Sequence, residues 1–517
     1  MMGASLHSQC ARMISPISSF PEQLLAAFRD DIASSDPVSR IASGLIGNDL
    51  MLDGPFGPRP ILYADHVASG RALRQVERFV MENILPYYAN THTQASFCGG
   101  YSTRMRVAAR KTIARLCGAD ERHAVLFAGA GATAGLNRLV ALLGASALEE
   151  DMPRKAPGGL TKFLRGKRPT RTRVIIGPYE HHSNILPWRE SGADVIEIGE
   201  GPEGGPDQDE LRRVLAQPGK YERTICAFSA ASNITGLMAD VPALTRIVKD
   251  AGALMVWDHA GGGPYLPIAM RPAPGAEIDA IVISPHKFIG GPGASGILIV
   301  RRDAVVTTKP VISGGGTVAF VSSTAHDYIE ALEEREEAGT PDYIGDVRAA
   351  LSFLVKDAIP SDVLLERNIE LAREAIAAWR DVEGLEILGP LDLPRLPIFS
   401  FLIRDGRGGF FHPQLVTRIL SDGFGIQARG GCACAGPYAH RLLNIDPQRS
   451  ARLRQEILAG DTRNKPGFTR LNLSPYMSED KIRFLMDTVA ALPATLAELG
   501  GCYHFDPERE LFEVVPA

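Results

Sequence analysis

The stretch Ile281 to Val300 sets Lys287, with Ser284 and His286 just before it, in a glycine-rich turn between two apolar β-branched runs. Those runs, Ile281 to Ile283 and Ile297 to Val300, read as buried strands. A lysine at a strand end among apolar neighbours can have its amine pKa lowered by desolvation and act as a nucleophile. A lone lysine in such a turn is more often a surface side chain. Upstream, Ala253 to Trp257 is another buried-strand signal, with Asp258 at its carboxyl end. A lysine for a Schiff base and an aspartate for a pyridinium nitrogen, each after a core strand, is the arrangement that pyridoxal 5′-phosphate enzymes need.

Other stretches carry further chemistry. Val125 to Phe127 is a short strand signal followed by small residues, among them Gly131, Ala132 and Thr133, and then an apolar helix. Such a turn lets backbone N–H groups approach a phosphate at a helix N-terminus, and Thr133 adds a hydroxyl. Glu180 to Trp188 holds the adjacent histidines His181 and His182. In extended chain they point to opposite faces, so a shared metal ion is not expected. An imidazole lying over a pyridine ring is the functional reading. Near the C-terminus, Arg429 precedes a glycine-rich Cys432-Ala-Cys434 loop. The two thiols read as half a metal site without a second pair, as inert buried thiols, or as an exposed thiolate favoured by the loop and the arginine. Arg470 can grip a carboxylate with two parallel hydrogen bonds, or serve in a strand-edge ion pair.

The elements that must position these groups follow from periodicity. Residues 1–60 read as an arm with one amphipathic helix near Glu22 to Arg29, then Gly/Pro-rich links. Residues 61–344 alternate strand and helix with ligand groups at strand carboxyl ends, the doubly wound α/β pattern. Within them Asn90 to Thr103 reads as a polar loop over the site, Arg104 to Cys117 as a helix, and 146–173 as a charged insert. That insert is a solvated loop or a partner-binding loop. From about Gly345 to residue 517 the pattern shifts to long amphipathic helices and a strand at Ile398 to Ile403, a smaller α+β domain.

Composition bounds the rest. With 45% hydrophobic residues in 517, the chain can bury a large core in two domains. Its 55 basic and 60 acidic residues give no field for nucleic acid or an anionic membrane. No apolar run reaches membrane-spanning length. Seven cysteines without framework spacing argue for reduced thiols. The first twenty residues carry Arg12, several serines and no acid, a faint transit-peptide pattern short of arginine; a cytoplasmic enzyme is expected.

Taken in order from Tyr63 to Tyr476, these motifs resemble those of the class V aminotransferase-like enzymes, in the group of cysteine desulfurases and selenocysteine lyases. Ser284-Pro-His-Lys287 resembles their cofactor-lysine segment, Gly131-Ala-Thr133 their phosphate loop, and Glu180-His-His-Ser-Asn-Ile-Leu-Pro-Trp188 a stretch whose first histidine, here His181, covers the cofactor ring. Asn233 falls where the family places an asparagine beside the cofactor's phenolic oxygen. Tyr63 to Ser69 resembles the Asp-Asn-Ala-Ala entry segment, with His66 in place of Asn and so on the substrate side. Ser313 to Val318, with Thr317, resembles a loop that reaches the neighbouring subunit's phosphate, and Glu337 to Pro341 matches a further signature. Cys434-Ala-Gly-Pro437 aligns with the desulfurase nucleophile, Arg429 with the motif's arginine, and Arg470 with the arginine that holds the substrate carboxylate.

The resemblance implies a pyridoxal phosphate-dependent fold-type-I transferase, with a large doubly wound mixed sheet and a small α+β domain. It implies a homodimer that takes cysteine to alanine, with a persulfide on Cys434 and a sulfur-acceptor protein as partner. Two departures stand out. Gly261 replaces the family glutamine after Asp258, and Cys432 stands where a histidine is usual. The rival reading keeps the cofactor and makes the protein an aminotransferase, lyase or epimerase of a specialised pathway.

Overall fold

The computed structural model describes residues 20–515 apart from 35, 146–171, 220, 508 and 510. Most of the 146–173 insert lies outside the described residues. Its expected end does not stand, because Thr172 and Arg173 already belong to a buried strand.

Seven strands make the main sheet: β1 (His123–Gly129), β2 (Thr172–Ile176), β3 (Asp194–Glu197), β4 (Arg223–Ser229), β5 (Leu254–Asp258), β6 (Ala280–Ile283) and β7 (Gly296–Arg301). Their spatial order is β1-β7-β6-β5-β4-β2-β3. The run from β6 through β5, β4 and β2 to β3 is parallel, and β7 is antiparallel to both neighbours. The sheet is therefore mixed, as expected. Every residue of β2 and β6 is buried, the continuous apolar run of strands covered on both faces. Register places Ser229 beside Asp258 and Asp258 beside Val282. The last residues of β4, β5 and β6 thus share the carboxyl edge, where ligands of open α/β sheets bind.

Helices differ from the sequence reading in three places, the first being Pro37–Gly44, a second helix in the arm where only links were expected, capped by Asp36. Helix α1 spans Phe97–Leu116, so half of the expected loop at Asn90 to Thr103 is helical. Ser96 caps it by accepting from the Gly99 N–H at 3.2 Å. Its two early glycines sit where space is short: a Cβ at Gly99 would lie 2.4 Å from Thr93 Cγ2. Helix α2 (Gly131–Leu142) follows β1. Helix α3 (Tyr343–Asp357), read as the start of the small domain, buries Val347, Leu351 and Phe353 in the same core as the main sheet. The small core begins with α4 (Ser361–Trp379), whose Leu371 and Trp379 join Phe399, Phe401 and Val489.

The small domain carries an antiparallel sheet of β8 (Leu385–Ile387), β9 (Ile398–Ile403), β10 (Arg429–Gly431) and β11 (Phe468–Asn472), in the order β8-β9-β11-β10. The entry segment ties the domains together, since Leu62–Tyr63 pairs in parallel with Ile426–Gln427. Among the described residues no helix is long and apolar enough to cross a membrane.

Candidate active site

Most of the residues singled out above converge on one cleft of about 280 Å3 at the carboxyl edge of the main sheet, roofed by the small domain. Lys287 ends a tight turn (Pro285–Lys287) directly after β6, its N–H donating to the Ser284 carbonyl at 3.0 Å. Burial lowers its amine pKa to about 8; Asp258 pulls it back up and Arg470 pushes it down. Asp258, 3% exposed, accepts from the Ala260 N–H at 2.7 Å through Oδ1. Burial raises its pKa, and the Ala260 N–H and Lys287 charge oppose the rise.

At the same edge the N-terminus of α2 opens into the cleft. Its N-cap, Ala130, offers no side-chain acceptor, so the cap residue itself satisfies none of the helix's first N–H groups. Ser284 Oγ accepts from the Ala132 N–H at 2.9 Å, and Thr133 Oγ1 lies 2.7 Å from Ser183 Oγ. Gly131 holds φ at 62°, and a Cβ there would come within 2.8 Å of His286 Cε1. The small residues and the helix's remaining first N–H groups could cradle a phosphate group.

His181 and His182 do different work. His181 Nδ1 accepts from the Ser183 N–H at 3.1 Å, which leaves the proton on Nε2. Burial, then the Lys287 charge, takes its pKa to about 4, so the ring is neutral. It lines the cleft; His182 instead accepts from the Gly436 N–H at 2.9 Å through Nε2. Glu180 beside them was not singled out as a site group. It is 2% exposed and accepts from Ser229 N at 2.8 Å, Ser229 Oγ at 2.6 Å and Asn184 Nδ2 at 2.7 Å, while burial lifts its pKa to about 7. It ties the histidine segment to β4.

The cysteine loop is a tight turn. The Ala435 N–H donates to the Cys432 carbonyl at 3.3 Å, and the residues between, Ala433 and Cys434, have φ of 49° and 55°. That is the type I′ pattern, which favours glycine or asparagine at both positions. Asn233 Nδ2 donates to the Ala433 carbonyl at 2.8 Å and the His182 N–H to the Cys434 carbonyl at 2.8 Å. Cys434 is exposed and lines the cleft; Cys432 is half-buried and packs against an apolar group that includes Tyr438 and Phe468.

Arg470, 4% exposed, reaches Asp65 Oδ1 with Nη2 at 3.0 Å and the Asn233 carbonyl with Nη1 at 3.1 Å. Arg429 Nε donates to Asp65 Oδ2 at 2.8 Å. Asp65 thus bridges two arginines that lie 364 and 405 residues away in sequence.

Two expected site residues stand apart. His66 lines a separate void of about 20 Å3 beside Lys287, with Lys356 and Tyr265, and packs edge-on to Tyr63 at 5.0 Å. Burial drops its pKa to about 4. Thr317 does not line its own chain's cleft; its hydroxyl donates to the Gly314 carbonyl at 2.7 Å. Gly261 does line it, so the missing glutamine is replaced by space. No cluster of three or more His, Cys, Asp or Glu side chains among the described residues is placed to hold a metal ion.

Pyridoxal phosphate fits this set. The cleft offers a buried lysine of lowered pKa, a buried carboxylate, a neutral imidazole and an uncapped helix N-terminus, matching its aldehyde, ring nitrogen, ring face and phosphate.

Residues 161–485 match the family model for Aminotransferase class-V. A probable cysteine desulfurase of Streptomyces coelicolor is 27% identical over 386 residues, 74% of this chain and 85% of the relative. The probable cysteine desulfurase 2 of Mycobacterium leprae is 31% identical over 274 residues, 52% of this chain and 62% of the relative. The apo cysteine desulfurase of Thermococcus onnurineus NA1 superposes with a TM-score of 0.66 at 23% identity, covering 84% of this chain and 95% of that one. The fold is thus shared with solved cysteine desulfurases.

Proposed function

Because the chain belongs to the class V aminotransferase family, we propose that it is a pyridoxal 5′-phosphate-dependent cysteine desulfurase, taking L-cysteine to L-alanine and leaving the sulfur as a persulfide on Cys434. The observation that carries the reading is Cys434 itself, an exposed thiol lining the same cleft as Lys287 and Arg470. When bound, the cofactor supplies an electron sink that lets an amino acid shed its α-proton. Lys287 would hold its aldehyde carbon, Asp258 its ring nitrogen, His181 its ring face, and Ala132 and Thr133 with the α2 N-terminus its phosphate.

The chain's own groups do the rest. Arg470 orients the substrate through its carboxylate. With a pKa of about 8, Lys287 has a neutral fraction near neutral pH and can take the α-proton. The Cys434 thiolate forms an S–S bond with the substrate sulfur as the Cβ–S bond breaks. The bond's electron pair stays on carbon, which gains a proton to become alanine's methyl group.

The active form in this reading is a homodimer. Thr317 sits beside the hairpin Val318–Val321 and His326–Tyr328, which leaves Phe320 56% and Val321 64% exposed on one chain. A protein that accepts the persulfide sulfur completes the cycle. The test is purified protein with L-cysteine, scoring alanine and protein-bound persulfide. Cys434→Ser should keep cofactor loading and lose the persulfide, while Cys432→Ser should keep the first turnover. Full turnover by Cys434→Ser would defeat the sulfur reading and leave an aminotransferase or lyase. Sedimentation should show two chains per particle; a fully active monomer would refute the dimer.

A further inference from the structure

Arg429 and Arg470 are direct register partners across β10 and β11. Like charges placed opposite each other in an antiparallel pair repel. Arg470 is 4% exposed, so water screens the repulsion poorly. Asp65 answers it by bridging the pair, one carboxylate oxygen to each guanidinium, at 2.8 and 3.0 Å. Two cations against one anion leave a single positive charge. Part of the arginines' donor capacity is also left over. Nε of Arg470 is buried without a partner, and the Arg429 side chain is half exposed beside the cleft.

We infer that Asp65 is the charge selector of the cleft. The arginine pair creates places for two anions and Asp65 fills one. The site therefore takes substrates with one carboxylate and rejects those with a second acidic group on the side chain. Such a group would meet the Asp65 carboxylate instead of a free cation. The inference rests on the reading that Arg470 holds the substrate carboxylate.

The test is isothermal titration of the cofactor-loaded enzyme with propionate and with succinate, which carry one and two carboxylates and no amine to react. The wild type should bind propionate more tightly than succinate. Asp65→Asn should raise the succinate-to-propionate affinity ratio by roughly tenfold or more, the size of one charge-assisted contact. Adding Arg429→Gln to that variant restores a single net positive charge and should return the ratio toward the wild-type value. Arg429→Gln alone leaves Asp65 in place and should lower the ratio, which keeps the test open should Asp65→Asn fail to fold. An unchanged ratio in these variants, with both ligands weakened equally, assigns Asp65 a structural role and overturns the inference. If Arg470→Lys leaves propionate binding untouched, the reading beneath it falls as well. If that variant loses propionate while the ratio ignores Asp65, the selector alone falls.

Discussion

Replacing Lys287 by Met should make the cofactor-free protein more stable at neutral pH. The Lys287 amine has a pKa of about 8 in the fold, against 10.5 in an open chain, with burial as the first cause. Between those values the unfolded chain binds a proton that the folded one has released, so stability rises with pH across the window. Below about pH 8 both states carry the charge and the penalty is present in full; above about 10.5 neither does and it is gone. The difference, 10.5 minus 8, at about 1.4 kcal/mol per unit is roughly 3 kcal/mol. Met keeps the apolar stem and discards the charge. Some of the gain is returned, because Asp258 loses the cation that opposes its burial. The expected net stabilisation is about 1–3 kcal/mol at pH 7. Urea unfolding of both cofactor-free proteins, repeated from pH 7 to pH 10, measures it. The gap should narrow as pH rises through 8. No gap at pH 7, or one that stays constant to pH 10, would refute the reasoning.

Two further outcomes concern backbone positions and a third the cofactor lysine. Gly131→Ala should cost about 1–2 kcal/mol, from a left-handed φ of 62° and a Cβ 2.8 Å from His286 Cε1; thermal unfolding reads the loss, and weaker cofactor loading should accompany it. Ala433→Gly should stabilise by up to about 1 kcal/mol and Ala433→Val destabilise, because φ is 49° there; a valine variant as stable as the glycine one would contradict the turn assignment. Lys287→Ala should leave no borohydride-trappable cofactor, and a labelled peptide from any other lysine would move the attachment site.

Much of the cleft was legible because its groups hang on strand ends, and strand ends announce themselves. Ile281 to Ile283 and Ala253 to Trp257 are continuous apolar runs, and the residues just past them, Lys287 and Asp258, fall at one sheet edge by topology alone. Helix boundaries were harder. Gly99 and Gly100 argued for a loop at 90–103, whereas Ser96 capping and tight packing against Thr93 make a helix from Phe97. Tyr343–Asp357 looked like the small domain because amphipathic spacing says which face is apolar and not which core it meets. Asp65 was beyond reach, since both its cations come from the other end of the chain.

The cysteine turn shows how local strain and tertiary contacts set the position of a reactive group. Ala433 and Cys434 both hold left-handed φ without being glycine, which costs of the order of 1–3 kcal/mol each. Against that stand the donors from Asn233 Nδ2, His182 N–H and the Gly436 N–H to His182 Nε2, each worth about 0.5–1.5 kcal/mol net. The summed anchors, roughly 1.5–4.5 kcal/mol, offset most of a strain of roughly 2–6 kcal/mol. All three anchors belong to or touch the β2-to-β4 side of the large domain, while the turn itself extends from β10 of the small one. The Cys434 thiol is thus placed by an interdomain contact.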